Sequence, residues 1–231
     1  MKVFALECSA VTAATAIVED SRILHSNFFK TGLTHSETIM PMSAETFEKS
    51  GLKPSDIDLF AVSAGPGSFT GLRIGIATLK GLAFGRDVKC CAVSTLKAIA
   101  YNFDDAEATV VCAMDARREQ IYTATFKCGN SSVKRLTDDE AVPAISLAGR
   151  INTYSGKVII AGDGAELTYN ILKDSCPNIV LAREEQMYQN AVGVAKCALD
   201  ETEYINAEQL VPTYIRLPQA VRELNNKKKE N

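Results

Sequence analysis

Residues 59–84 set the strongest limit on the fold. The apolar run Leu59-Phe60-Ala61-Val62-Ser63 passes into Ala64-Gly65-Pro66-Gly67-Ser68-Phe69-Thr70-Gly71-Leu72-Arg73-Ile74-Gly75, and a helical pattern continues to about Phe84. Strand, glycine turn and helix in that order present backbone N–H groups at a helix N-terminus, where an anion can bind. The segment lacks the Gly-Lys-Ser/Thr of a Walker loop and the Gly-x-Gly-x-x-Gly of a dinucleotide loop. A Gly-Pro-Gly turn also serves as a plain sharp corner, and the sequence leaves both roles open. Along the helix, Gly71, Gly75, Thr78 and Gly81 put a small residue on each turn. Such a stripe lets a second backbone come close, within the domain or across a subunit boundary.

The glycine turn has a counterpart. Ala161-Gly162-Asp163-Gly164 follows the apolar Lys157-Val158-Ile159-Ile160 as Ala64-Gly65-Pro66-Gly67 follows its own strand. The strand-like Ala5-Leu6-Glu7-Cys8-Ser9 and Ala113-Met114-Asp115-Ala116-Arg117 also correspond: each carries an acid at its end, and Thr15-Ala16 and Thr123-Ala124 begin eight residues after that acid. This suits two equivalent hairpins. Helical patterns fall between the paired features, at about 36–49 in the first half and, shorter, about 145–150 in the second. Strands mixed with helices make an α/β fold of two copies of one unit, each a mixed sheet flanked by helices. The expected division is an N-terminal lobe at 1–102, a C-terminal lobe at 103–216 whose end packs back on the first, and a polar tail at 217–231. The polar link Asn102-Phe103-Asp104-Asp105-Ala106-Glu107 joins the lobes.

With 231 residues, 46% hydrophobic and 23% charged, the chain has enough material for two packed cores. Apolar runs are too short for a membrane span, and the strand-like start at Lys2 leaves no signal peptide, so a cytoplasmic protein is expected. Seven cysteines without Cys-x-x-Cys spacing read as reduced small hydrophobes. A net charge of −3 argues against this chain wrapping nucleic acid by itself. Lys227-Lys228-Lys229 forms the one basic run, either a solvated tail or a weak contact with RNA.

Four segments carry a family resemblance: His35-Ser36-Glu37, Gly65 to Gly75, Met114-Asp115-Ala116-Arg117-Arg118 and Pro212-Thr213-Tyr214-Ile215-Arg216. In these the chain resembles the bacterial TsaB family, in the TsaD/TsaB branch of the actin-like ATPase superfamily. The resemblance implies a duplicated actin-like (ribonuclease H-like) fold. It also implies a role as a noncatalytic scaffold for a TsaD-type transferase that threonylcarbamoylates the adenosine next to the anticodon in tRNAs reading ANN codons. A TsaE-type ATPase would be a third partner. The chain would form a homodimer when alone, meet tRNA through the complex, and hold no cofactor tightly, with ATP or ADP at the partner or the shared interface. The surface that the resemblance assigns to a partner is the first helix pair, through His35, Ile39, Met42, Thr46, Thr70, Gly71, Arg73, Ile74, Gly75 and Thr78. On that reading a charge at Gly75 or Ile39 would abolish association and leave the monomer folded.

The residues weigh against catalysis by this chain alone. An actin-like ATPase needs acids that hold a metal-nucleotide, with glycines beside them. Here Glu7 is followed by Cys8 and Ser9, and Asp115 by Ala116, Arg117 and Arg118. Side chains there crowd a phosphate cradle, leaving Glu7, Ser9, Asp115, Arg117 and Arg118 as a degenerate nucleotide site. The favoured reading of each acid is a strand-end residue that accepts hydrogen bonds from the following turn. No metal set is expected: His25 and His35 are the only histidines and lie on separate elements, and paired histidines belong to TsaD. A peptidase would need a base beside Ser68 or a cysteine, and no Gly-x-Ser-x-Gly elbow is present. A small-molecule kinase or ATPase stays open as the alternative, with a peptidase behind it.

Overall fold

The computed structural model describes residues 1–30 and 34–216; the Lys227-Lys228-Lys229 run and the tail at 217–231 lie outside the described residues. The first half runs β1 (Lys2–Glu7), β2 (Thr12–Glu19), β3 (Arg22–Lys30), α1 (His35–Ser50), β4 (Leu59–Gly65), α2 (Phe69–Ala83), β5 (Lys89–Ser94) and α3 (Thr95–Ala100). The second runs β6 (Ala108–Asp115), β7 (Gln120–Gly129), β8 (Ser132–Arg135), β9 (Glu140–Pro143), α4 (Ala148–Ile151), β10 (Val158–Ala161), α5 (Ala165–Leu172), β11 (Ile179–Leu181), α6 (Glu184–Met187) and α7 (Ala191–Asp200).

The duplication is present in the topology. One sheet has the order β3-β2-β1-β4-β5 and the other β8-β7-β6-β10-β11, with β9 also pairing β7. In both, the first three strands form an antiparallel meander and the last two add in parallel. The short pattern at 145–150 becomes a 3-10 turn, Ala144–Leu147, leading into the single-turn α4. It occupies the place that the sixteen-residue α1 holds in the first half.

The Thr-Ala match, by contrast, is not a structural equivalence. Glu7 pairs with Ala14, whereas Asp115 pairs with Ile121, so the second hairpin is one residue shorter. Thr15-Ala16 therefore corresponds in register to Tyr122-Thr123. The hairpins match; the dipeptides do not.

β1 is buried along almost its whole length because both of its faces are covered. Phe4 and Leu6 point into a core that includes Ile39, Phe47, Ile76 and Leu79 from α1 and α2. Val3 and Ala5 point to the other face, into a core that continues through α3 and α7 into the second sheet. α7, from the C-terminal half, packs on β1, β2 and β4. Strand alternation thus ties each face of the first sheet to a different helix layer. Helix ends are set locally. Glu37 accepts from the N–H and Oγ1–H of Thr34 ahead of α1, Ser68 Oγ accepts from Gly71 N–H at α2, and Asn190 Oδ1 accepts from Gly193 N–H at α7. No helix among the described residues is long and apolar enough to cross a membrane.

Candidate functional site between the lobes

The two strand-end acids do the same local work. Glu7 Oε1 accepts from the N–H of Ser9, and Asp115 Oδ1 accepts from the N–H of Arg117 at 2.7 Å. Each acid closes a turn two residues on, an Asx-type use of a short carboxylate chain. They then diverge. Asp115 is exposed, while Glu7 is fully buried and also accepts from Ser63 Oγ on β4. Burial pushes the Glu7 carboxyl above its usual range, opposed by its hydrogen bonds from Ser63 and Ser9 and reinforced by the nearby Asp163.

The glycine turns press against these strand ends. A Cβ at Gly67 would strike the carbonyl of Ser9, one at Gly71 the carbonyl of Cys8, and one at Gly65 the carbonyl of Thr213. In the second lobe, a Cβ at Gly162 would strike the carbonyl of Ala113, and one at Gly164 would lie 2.8 Å from the nitrogen of Asp115. The Ser68 N–H at the head of α2 donates to Ser9 O at 2.6 Å, and Gly71 N–H is taken by Ser68 Oγ. The Ser68 amide is thus spent on the neighbouring turn and the Gly71 amide on the helix's own cap, so neither donor is open to a phosphate.

Between the lobes lies an open cleft of about 520 Å³, walled by Ser9, Ser68, Phe69, Asp115, Arg117 and Asp163 among others. Three of the five candidates, Ser9, Asp115 and Arg117, line it, and Glu7 lies behind Ser9, whose N–H donates to it. Arg118 is exposed at the adjoining hairpin tip. Asp163, in the second glycine turn, did not stand out in the sequence. Gln189 Nε2 donates to its Oδ1 at 2.7 Å, and burial, with the charge of Asp115, pushes its carboxyl up to about 6. A carboxyl whose folded pKa lies above its unfolded value binds protons more tightly in the native state. Its contribution is therefore complete below about pH 4 and lost as pH rises through about 6. Asp163→Asn keeps an acceptor for Gln189. The variant is expected to melt higher than the parent at pH 7 and to lose the advantage by pH 4, read as the difference between two thermal melts at each pH.

The first helix pair corrects the partner-surface expectation. Ile39, Met42, Thr46, Gly71 and Gly75 are buried within the chain. Ile39 joins the α1/α2 core, Thr46 Oγ1 sits 2.6 Å from Thr15 Oγ1 on β2, and a Cβ added at Gly75 would lie 3.3 Å from Val62 and 3.4 Å from Cys8. Within the small-residue stripe, Gly71 and Gly75 receive Cys8 at the start of the protein's own β1–β2 turn, whereas a Cβ at Gly81 would meet nothing within 4 Å. A charge at Gly75 or Ile39 would therefore attack the monomer itself. The outward residues of this face are Met40, Pro41 and Ala44 on α1 and Thr70, Arg73 and Ala77 on α2, with Ile74, Thr78 and His35 half-buried. His35 is engaged at 2.8 Å with the carbonyl of Ala10. All seven cysteines are buried, and burial raises the Cys8 thiol further from ionisation. Among the described residues, no group of three or more His, Cys, Asp and Glu side chains is placed to hold a metal.

Residues 211–216 then cross from lobe to lobe. Thr213 N–H donates to Ala64 O at 2.7 Å, and the Tyr214 ring stacks on Phe69 with centroids 4.4 Å apart. Arg73 Nε donates to Tyr214 Oη at 2.9 Å, and Arg216 Nη1 to Ala116 O at 3.4 Å. The Pro212–Arg216 segment of the sequence is a strap beside the cleft.

Comparison with known proteins agrees with this architecture. The family model described as TsaD, tRNA N6-adenosine threonylcarbamoyltransferase, matches residues 30–219. The tRNA threonylcarbamoyladenosine biosynthesis protein TsaB of Escherichia coli (strain K12) is 28% identical over 94% of this chain and 95% of its own length. TsaB of Bacillus subtilis (strain 168) is 24% identical over 95% and 96%. The solved structure of YeaZ from Pseudomonas aeruginosa superposes with a TM-score of 0.78 at 23% identity, covering 92% of this chain and 99% of that one. With its repeated mixed sheets, its paired glycine turns and a family match that spans both lobes, the chain belongs to the TsaD family, on the TsaB-like side of it.

Proposed function

We propose that this protein acts in the biosynthesis of threonylcarbamoyladenosine in tRNA as a noncatalytic activator of a TsaD-type transferase. The observation that carries the reading is the state of the cleft. The Ser68 and Gly71 amides at the head of α2 are occupied by Ser9 O and Ser68 Oγ, and the glycines of the turn are packed on Cys8 and Ser9, where a triphosphate would need open backbone donors. Two full-length TsaB relatives support the pathway. On this reading the transferase brings the catalytic groups, and the chain binds its competent conformation more tightly than the incompetent one. A TsaE-type ATPase and a homodimer of the free chain complete the proposed set of partners, with any ATP or ADP held at the partner or shared surface and the complex working in the cytoplasm.

The rival reading, a small-molecule kinase or ATPase, demands nucleotide affinity from the chain alone. Titration calorimetry of the isolated protein with Mg-ATP is expected to give no saturable heat at millimolar nucleotide. A micromolar isotherm that disappears in Asp115→Asn would favour the kinase.

The docking face proposed for the transferase is the outer side of α1 and α2, around Met40, Pro41, Ala44, Thr70, Arg73 and Ala77. Met40 exposes 49% of its surface beside small residues. An apolar side chain among small neighbours is what a partner helix pair fits against.

A further inference from the structure

Three segments distant in sequence deliver arginines to one place. Arg73 comes from α2, Arg117 from the tip of the β6–β7 hairpin and Arg216 from the strap. Arg73 is tied to Tyr214, Arg216 reaches the carbonyl of Ala116 next to Arg117, and Arg117 shares the cleft wall with Phe69, on which Tyr214 stacks. Tyr122 and Arg216 line the small pocket that Phe69 and Tyr214 also enclose. Among the described residues, none of these arginines lies within 4 Å of a carboxylate oxygen, although four other basic side chains of the second lobe and its surroundings do. Their charge is available to an outside group.

The hairpin tip adds a second, independent observation. Arg117, Arg118 and Glu119 all have left-handed backbones, with φ of 65°, 56° and 57°. Non-glycine residues at positive φ cost free energy, and three in succession need a compensating use. Here the strained turn carries Arg117 in the wall of the cleft and Arg118 exposed beside it in the chain.

We propose that the Arg73–Arg117–Arg216 cluster around the Phe69–Tyr214 stack is a contact site for the sugar-phosphate backbone of a single-stranded or looped RNA segment. Arginine forks fit phosphate oxygens bidentately, and partly exposed aromatic rings beside them accept unstacked bases. An acidic protein segment would use the forks but leave the outer edge of the Phe69–Tyr214 stack (Tyr214 is 37% exposed) and the half-buried Tyr122 ring uncovered. The naming of RNA rests on the proposed function; the convergence of the arginines does not. Arg73 also belongs to the outer face proposed for the transferase, which makes the cluster continuous with that face. The overall charge of −3 makes the site local and shallow rather than a wrapping surface.

The test is fluorescence anisotropy of the full chain with a labelled anticodon stem-loop RNA, across a salt series from low ionic strength. Arg117→Gln/Arg216→Gln is expected to bind at least about tenfold more weakly, with the slope of log K against log salt shallower by about 1.4 for two lost single-strand phosphate contacts. Arg117→Lys/Arg216→Lys should recover most of the slope, and matching melting curves show that each variant is folded. An unchanged isotherm in the Gln pair overturns the site, as does failure of the parent to bind at low salt, or binding of a poly-glutamate peptide in preference to the RNA. Stem-loops with ANN-reading and other anticodons should bind alike, because backbone contacts carry no sequence. RNA binding in a chain that fails to support adenosine modification would refute the proposed function and leave the site standing.

Discussion

Gly71→Ala is expected to cost on the order of 3 kcal/mol, lowering the melting temperature by roughly 6–12 °C for a chain of this size. One methyl group has this effect because of what it meets. The new Cβ would run into the carbonyl of Cys8, with the His35 ring 3.1 Å away, and the obstruction is backbone that cannot rotate aside. α2 and the β1–β2 turn would have to separate, and with them the Ser68 N–H to Ser9 O bond. The same helix supplies the control. Gly81 belongs to the same stripe, yet a Cβ there meets nothing within 4 Å. In an exposed helix position, Gly81→Ala should stabilise by up to about 1 kcal/mol. Thermal melts of the two variants therefore move in opposite directions. If Gly71→Ala melts with the parent, the close packing of the glycine turn on β1 is wrong.

The second large effect is expected in association. Met40→Glu puts a charge on the outer face of α1, where the half-exposed side chain contributes little to the monomer, so its melting curve should stay with the parent. Binding to a TsaD-type partner should weaken by about 2–4 kcal/mol, roughly 30- to 1000-fold, as for the loss of a central apolar contact. Ile39→Glu, one residue away but fully buried, should unfold the lobe instead. Binding measured by titration with the purified transferase, beside melts of both variants, separates the two faces of one helix. Unaltered binding by Met40→Glu would remove α1 from the interface.

This pair of variants shows where the sequence was legible. The order of strand, glycine turn and helix repeats visibly along the chain, and both sheets carry it out with the same strand order. Strand-end acids were legible too, because a carboxylate at the end of an apolar run followed by a turn has few other local uses. What spacing could not supply was the direction of each face. A small residue on every turn of α2 signals close approach, but approach to the protein's own β1–β2 turn leaves the same pattern as approach to another subunit. The face was settled by Cys8, far from α2 in sequence. Asp163 was missed for a related reason. Between two glycines it reads as an ordinary turn residue, and only its burial in the folded chain, with the charge of Asp115 nearby and against the hydrogen bond from Gln189, shifts its proton affinity. The Thr-Ala coincidence misled in the opposite way, since a one-residue difference in hairpin length moves a matched dipeptide out of register without disturbing either hairpin.

Glu7 is a poor probe of catalysis for the same structural reasons. It is buried, holds Ser63 and Ser9, and its removal would leave those donors unpaired in the core. The exposed Asp115 and the half-buried Asp163 can be changed at lower cost, and they are the acids that a metal-nucleotide in this cleft would require.

The most direct measurement is formation of threonylcarbamoyladenosine on an ANN-reading tRNA transcript, with a threonylcarbamoyl-AMP synthase, a TsaD-type transferase and a TsaE-type ATPase. It is run without this chain, with it, and with an Asp115→Asn/Asp163→Asn variant verified as folded. The account predicts product only when the chain is present, and the same yield from the variant as from the parent. Product in the absence of the chain, or a variant that falls to background, would contradict it.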